Sequence, residues 1–140
     1  MIAYIDSSVL LRVVLRQPNA LKQWPVIEQG IGSALVEVEC LRTLDRLRLT
    51  EELSDDEIAV RREAVFRLVE AMEIVELTRP VLARAAQPLP TALGTLDAIH
   101  LATALLWKER TDADLVMATH DSTLATAAKA SGLRVVGIGR

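Results

Sequence analysis

With 140 residues and 51% apolar side chains, the chain has enough material for one packed domain and is too hydrophobic to be disordered. A formal net charge of −3 excludes a generally basic nucleic-acid coat, so any RNA or DNA partner must meet a local arginine patch or a bound cation. Aromatic residues make up only 3%, which leaves the core to Leu, Ile, Val and Ala.

Ile2 to Ile5 reads as a short buried strand, followed by Asp6-Ser7-Ser8 and a helix to about Leu15. Gln17-Pro18-Asn19 breaks that helix, and a second helical segment is expected to run to about Gln29. Gly30 and Gly32 flank a brief extended piece reaching Ala34, and Leu35 to Leu49 forms a helix free of Gly and Pro. Ser54-Asp55-Asp56-Glu57 has the form of a capping box opening a helix to about Met72, with the joint between the two helices near Thr50 to Leu53. Ile74 to Leu77 is a strand candidate, and Arg79-Pro80 opens a short helix to about Ala86. Pro88 and Pro90 mark a loop ending at Gly94. Thr95 to Lys108 is helical, Leu115 to Ala118 a strand, Ser122 to Ala130 a helix, and Arg134 to Ile138 a last strand. Short apolar strands alternating with helices predict one α/β domain over residues 1–140, a parallel sheet with helices on both faces.

Cys40, the single cysteine, has no partner for an internal disulfide and reads as a small core residue; no Cys/His set has zinc spacing. The N-terminus lacks the basic start and apolar run of a secretion signal, and no apolar stretch approaches the roughly 20 residues that span a bilayer. The expectation is a cytoplasmic protein without membrane contact.

Asp6 and Asp121 each follow a strand and precede a helix, and Asp97 lies in the first turn of its own helix. Each has a structural explanation, because an aspartate there caps amides or complements the helix dipole. Their conjunction points further. In an open parallel sheet the strand C-termini and following helix N-termini share one edge, where ligands bind. Carboxylates gathered there repel unless a cation neutralises them, and hard oxygen ligands suit Mg²⁺ or Mn²⁺. The helix from Leu35 to Leu49 offers a fourth acid. Periodicity alone leaves both Glu37 and Glu39 open, and Glu39 also has the spacing for surface ion pairs with Arg42 and Arg46. His100 stands one turn from Asp97, within reach of it, and a histidine packed at a helix interface and hydrogen-bonded to a carboxylate is expected rather than a catalytic base. His120 precedes Asp121 and should point elsewhere.

Four stretches carry a family resemblance: Tyr4 to Leu11; Ser33 to Arg42; Thr95 to Ala104, containing Leu-Asp-Ala-Ile-His-Leu-Ala-Thr-Ala; and Thr119-His120-Asp121 with its continuation through Gly132 to Val136. In this order and spacing the chain resembles the PIN-domain nucleases, and within them the VapC-like toxins of toxin–antitoxin pairs. The resemblance implies a three-layer α/β/α fold with about five short parallel strands. It selects Glu39, six residues after Ser33 and three before Arg42, and fills all four acidic positions: Asp6, Glu39, Asp97 and Asp121. It further implies a Mg²⁺- or Mn²⁺-dependent endoribonuclease acting on structured RNA such as tRNA or ribosomal RNA. A VapB-like antitoxin and a homodimer complete the picture, with the helical clip from Leu35 to Met72 as the partner-binding feature.

On this reading Asp6, Asp97 and Asp121 hold the metal, Glu39 completes the cluster, and Ser7 and Thr119 support it by hydrogen bonds. Arg12, Arg16, Arg42 and Arg46 are candidates for the RNA backbone, since Arg pairs with phosphate in fork geometry. A haloacid-dehalogenase-like phosphatase is excluded because Asp6 is followed by Ser7 and Ser8 rather than a second Asp two residues on. A response-regulator receiver lacks its adjacent acids and its lysine. The alternative of another class is a PIN-like module that binds RNA or protein without cutting.

Overall fold

The computed structural model describes residues 1–50 and 52–139. Five strands form one all-parallel sheet in the order β3-β2-β1-β4-β5, with β1 Ile2–Ile5, β2 Gln29–Ser33, β3 Glu73–Val75, β4 Leu115–Ala118 and β5 Arg134–Val136. The helices are α1 Ser7–Val14, α2 Leu35–Leu49, α3 Asp55–Ala71, α4 Arg79–Ala85, α5 Thr95–Thr111 and α6 Ser122–Ala130. The expected three-layer α/β/α arrangement is what forms.

The period of two along the strands divides the core. Ala3 and Ile5 of β1 and Ala118 of β4 face one layer, where Val9, Leu10, Val14, Val36, Cys40, Leu44, Ile58 and Val65 come from α1, α2 and α3. Tyr4, Leu115 and Met117 face the other, with Leu101, Ala104 and Trp107 of α5 and Leu124, Ala127 and Ala128 of α6. Small alanines on α5 and α6 let both helices lie close to the sheet. The central strands β1 and β4 are buried on both sides, which is why they read as apolar runs rather than alternating ones.

Helix ends follow the local chemistry. Ser54 and Glu57 form the capping box at α3: Glu57 N–H donates to Ser54 Oγ at 3.2 Å, and Ser54 N–H to Glu57 Oε1 at 3.1 Å. α5 continues past Lys108 to Thr111 and stops at Asp112, which adopts φ 55°.

The second helical segment expected up to Gln29 does not form. Pro25 at its centre permits only a single 3₁₀ turn, Trp24–Val26. Beyond it the chain enters the sheet, with Glu28 N–H donating to Met1 O at 2.9 Å. β3 starts one residue before the expected Ile74 and ends at Val75, and β5 ends at Val136, short of Ile138. Gly137 ends β5 at φ +104°, where an added Cβ would lie 2.3 Å from Thr119 O. Glu51, inside the joint expected near Thr50 to Leu53, lies outside the described residues. No helix among the described residues is long and apolar enough to cross a membrane.

Candidate active site at the C-terminal edge of the sheet

β1 is central, with β2 and β3 on one side and β4 and β5 on the other, so the chain reverses its direction of growth between β1 and β4. The crevice beyond the C-termini of those two strands is the ligand position of an open parallel sheet. Register fixes what stands there. Ile5 pairs with Ala118, so Asp6 and Thr119 emerge side by side, and Asp6 N–H donates to Ala118 O at 3.1 Å.

Asp6 is buried, and its Oδ2 accepts from Ser8 Oγ at 2.7 Å and Thr119 Oγ1 at 2.8 Å. Thr119 is thus the supporting hydroxyl expected, but the serine is Ser8. Ser7, the first residue of α1, makes no side-chain hydrogen bond among the described residues; it lies about 100° around the helix from Ser8, which makes the bond to Asp6. Ser8 Oγ also accepts from the His120 N–H at 3.0 Å, which ties the β4–α6 connection to α1.

Asp121 is the N-cap of α6: its Oδ1 accepts from Thr123 N–H at 2.8 Å and Leu124 N–H at 3.3 Å. The capping explanation therefore holds for Asp121, and it leaves Oδ2 without a hydrogen bond among the described residues. For Asp6 it does not hold, and Asp97 keeps the first-turn position in which it complements the helix dipole. Asp6 occupies the N-cap of α1 without a side-chain cap bond, and the N-cap of α5 is Gly94.

Asp97, in the first turn of α5, is half-buried and has its pKa raised to about 6. Burial is the largest cause, followed by the charges of Asp121 and Asp6; His100 pulls weakly the other way. Asp97, Asp121 and Asp6 therefore address one another across the crevice.

Glu39 projects from α2, and its Oε1 meets His100 Nε2 at 2.5 Å. This distinguishes Glu39 from Glu37, which makes no such contact. It also replaces the surface pairing with Arg42 and Arg46: no ion pair joins Glu39 to either among the described residues, and Arg46 donates to Thr43 Oγ1 at 3.1 Å instead. His100 is fully buried, with Nδ1 at 2.6 Å from the Tyr4 hydroxyl and Nε2 also 4.0 Å from Asp6 Oδ1. Burial opposes a charged imidazole, but the bond to Glu39 and the charges of Glu39, Asp6 and Asp97 outweigh it and raise the His100 pKa. Burial, then the charges of Asp6 and Glu39, push the Tyr4 pKa well above its usual value, so the phenol keeps its proton. Tyr4 and Glu39 thus engage the two ring nitrogens of His100, one on each side.

The expected buried, carboxylate-bonded histidine is present, and the carboxylate is Glu39 rather than the Asp97 one turn away. The sequence carried no signal for this, since the partners are 61 residues apart. The contact links α5, on one face of the sheet, to α2, on the other. Cys40, next to Glu39, is buried in the core with its thiol pushed up to about 12 by burial first and then by Glu39 and Asp6; it is an inert packing residue.

Of the candidate arginines, Arg12 donates to Asn19 O at 3.2 Å and borders a cavity with His120. Arg42 is exposed one turn beyond Glu39. Arg16 lies at the other end of α1 at φ 54°, in a groove against α3, and is not brought to the acids.

The four carboxylates share one edge, but they are not a closed cage. Among the described residues, no three His, Cys, Asp or Glu side chains are grouped closely enough to hold one ion as they stand. The donor set nonetheless fits a hard divalent cation. Asp6, Asp121 and Glu39 each have one oxygen fixed by a neighbour, and the second is without a hydrogen bond at usual distance. Orienting one oxygen while leaving the other available is what supporting bonds do for metal ligands.

The PIN domain family pattern matches residues 3–134, and the chain belongs to that family. The chain is 34% identical over 137 residues to Ribonuclease VapC46 of Mycobacterium tuberculosis (strain ATCC 25618 / H37Rv), covering 95% of each protein. Two solved structures share the fold at lower identity. One is FitAB bound to an IR36 DNA fragment, at TM-score 0.71 and 20% identity, covering 96% of this chain and 93% of that one. The other is a toxin–antitoxin complex from Klebsiella pneumoniae, at TM-score 0.65 and 16% identity, covering 99% and 96%.

Proposed function

We propose that the chain is a Mg²⁺- or Mn²⁺-dependent endoribonuclease, the toxin of a VapBC-like pair, acting on structured RNA such as tRNA or ribosomal RNA. The observation that carries this reading is the electrostatic coupling of Asp97 to Asp121 and Asp6 at the sheet edge, where burial first and then those two charges raise the Asp97 pKa to about 6. Unneutralised, such a group destabilises the fold, and caps alone need no shared location. Full-length similarity to a protein named a ribonuclease supports the same activity.

A bound divalent cation supplies charge neutralisation at the scissile phosphate and a more acidic attacking water. Asp6, Asp97 and Asp121 would hold it. Ser8 and Thr119 fix the Asp6 carboxylate through Oδ2 and leave Oδ1 for a ligand. The amides of Thr123 and Leu124 fix Asp121 through Oδ1 and leave Oδ2 outside the cap. Glu39, oriented by His100, completes the negative set and serves as acceptor for a proton of the water. No side chain forms a covalent intermediate. Of the candidate arginines, Arg12 and Arg42 would meet the RNA backbone.

An antitoxin would act by covering this edge, and the neighbours' description as a toxin–antitoxin complex supports such a partner. The α2–α3 clip exposes Val38, Leu49, Val60 and Phe66, apolar area suited to an antitoxin or a second copy.

The test is incubation of the protein with total tRNA, with Mg²⁺ and with EDTA. Discrete fragments only with Mg²⁺ are expected. The second reading is a PIN-like module that binds RNA or protein without cleavage. RNA retention without fragments in either tube would select it.

A further inference from the structure

Glu39 differs from the other acids in how it is held. Asp6 is fixed by the hydroxyls of Ser8 and Thr119, and Asp121 by two amides of its own helix. Glu39 stands on a longer side chain that is 21% exposed, and among the described residues its only hydrogen bond is to His100 Nε2 at 2.5 Å. A glutamate has several side-chain torsions to restrict, so whatever fixes His100 decides where this carboxylate stands.

The His100 ring is fully buried, and its other nitrogen, Nδ1, lies 2.6 Å from the Tyr4 hydroxyl. The two bonds leave from opposite sides of the ring. A flip of the imidazole would put carbon where each nitrogen stands and lose both bonds at once. Tyr4 is a rigid anchor for this ring. It lies in the central strand β1, paired with Ile31 on one side and Met117 on the other, and is itself fully buried. The Ser33 backbone and Thr103 stand beside its phenol oxygen. Its neighbours in the core are apolar, among them Leu101, Met117 and Leu124, and a phenylalanine would pack there equally well. A buried hydroxyl costs free energy unless it is bonded, so what the oxygen contributes is its bond to His100.

We propose that Tyr4 is a positioning residue of the active site: through His100 it holds the Glu39 carboxylate at the crevice, so that a hydroxyl in the α5–α6 layer orients an acid carried by α2 in the opposite layer. What Glu39 does once placed rests on the ribonuclease reading, whereas the line from Tyr4 through His100 to Glu39 needs neither metal nor RNA. A hydroxyl serving the core alone would end its influence at His100. Here the ring passes the constraint to a carboxylate that has no other hydrogen bond among the described residues.

The experiment compares wild type with Tyr4→Phe by NMR, using the full metal-free chain in EDTA with isotope-labelled histidine rings and Asp and Glu carboxyls. Tyr4→Phe keeps the ring and removes one oxygen, so the core stays filled. The His100 ring signals and the Glu39 carboxyl signal should both shift or broaden, while the Asp121 carboxyl signal stays in place. On total tRNA with Mg²⁺, kcat should fall about three- to tenfold at unchanged KM, because a misplaced acid affects the chemical step rather than RNA binding. His100→Gln, whose amide can reach the place of Nε2, should recover part of the cleavage lost in His100→Ala, and it carries the test if Tyr4→Phe does not fold. An unmoved Glu39 signal in folded Tyr4→Phe, or full kcat in that variant, overturns the proposal, as does equal cleavage by His100→Gln and His100→Ala. A Glu39 shift in Tyr4→Phe, found together with a wild type that leaves tRNA intact, would sink the nuclease reading and uphold the positioning of Glu39 by Tyr4.

Discussion

Asp97 is where the electrostatics of the crevice can be read in solution. The folded protein binds its proton more tightly than the unfolded chain, because burial and then Asp121 and Asp6 raise its pKa from 3.8 to about 6. That contribution to stability is fully present below the unfolded value and is lost as pH rises through about 6. In EDTA the melting temperature of the protein should therefore carry a falling component between these limits, and Asp97→Asn should flatten it. An identical pH profile in the variant would mean that the carboxylates do not share a field. His100 offers a second residue-scale check. Its removal empties a fully buried position and leaves both the Tyr4 hydroxyl and Glu39 without their partner. His100→Ala should cost about 2–4 kcal/mol in urea denaturation.

At the scale of elements, Asp121 combines two roles that substitution can separate. As N-cap of α6 its Oδ1 bonds two amides, worth about 1 kcal/mol. Asp121→Asn keeps an oxygen for the cap while removing the charge, so stability should be nearly unchanged and RNA cleavage should fall at least tenfold. Asp121→Ala should lose both, with a destabilisation of about 1 kcal/mol. Equal cleavage by wild type and Asp121→Asn would make this residue a cap and nothing more. The helices of this chain were largely legible in its residues: α2 and α6, and the Ser54–Glu57 box of α3, carry their boundaries in local composition. The segment before β2 was not. Its apolar spacing suggested a helix, but Pro25 and pairing with the N-terminal strand decided otherwise. Local patterns lose to tertiary context where a segment is short and interrupted by proline.

For the molecule as a whole, topology gathers what the sequence disperses. Asp6, Asp97 and Asp121 were legible as strand-end and helix-start acids; the order of strands sets Asp6 and Asp121 at one switch point, and α5 carries Asp97 within their field. The choice of Glu39 over Glu37 could not be made from periodicity, because both faces of α2 mix charge with apolar residues. It took the family resemblance, and in the structure it is expressed by a histidine on the opposite layer. The identity of the supporting serine likewise turned on helix phase, which a one-residue difference reverses. What ultimately unites the four acids is the ion they are proposed to share. Titration of Mn²⁺ into the metal-free protein, followed by calorimetry, tests that directly. The account predicts saturable binding of one or two ions that is abolished in an Asp6→Asn/Asp97→Asn variant of unchanged circular dichroism. Undiminished binding by that variant, or none by the wild type, would contradict it.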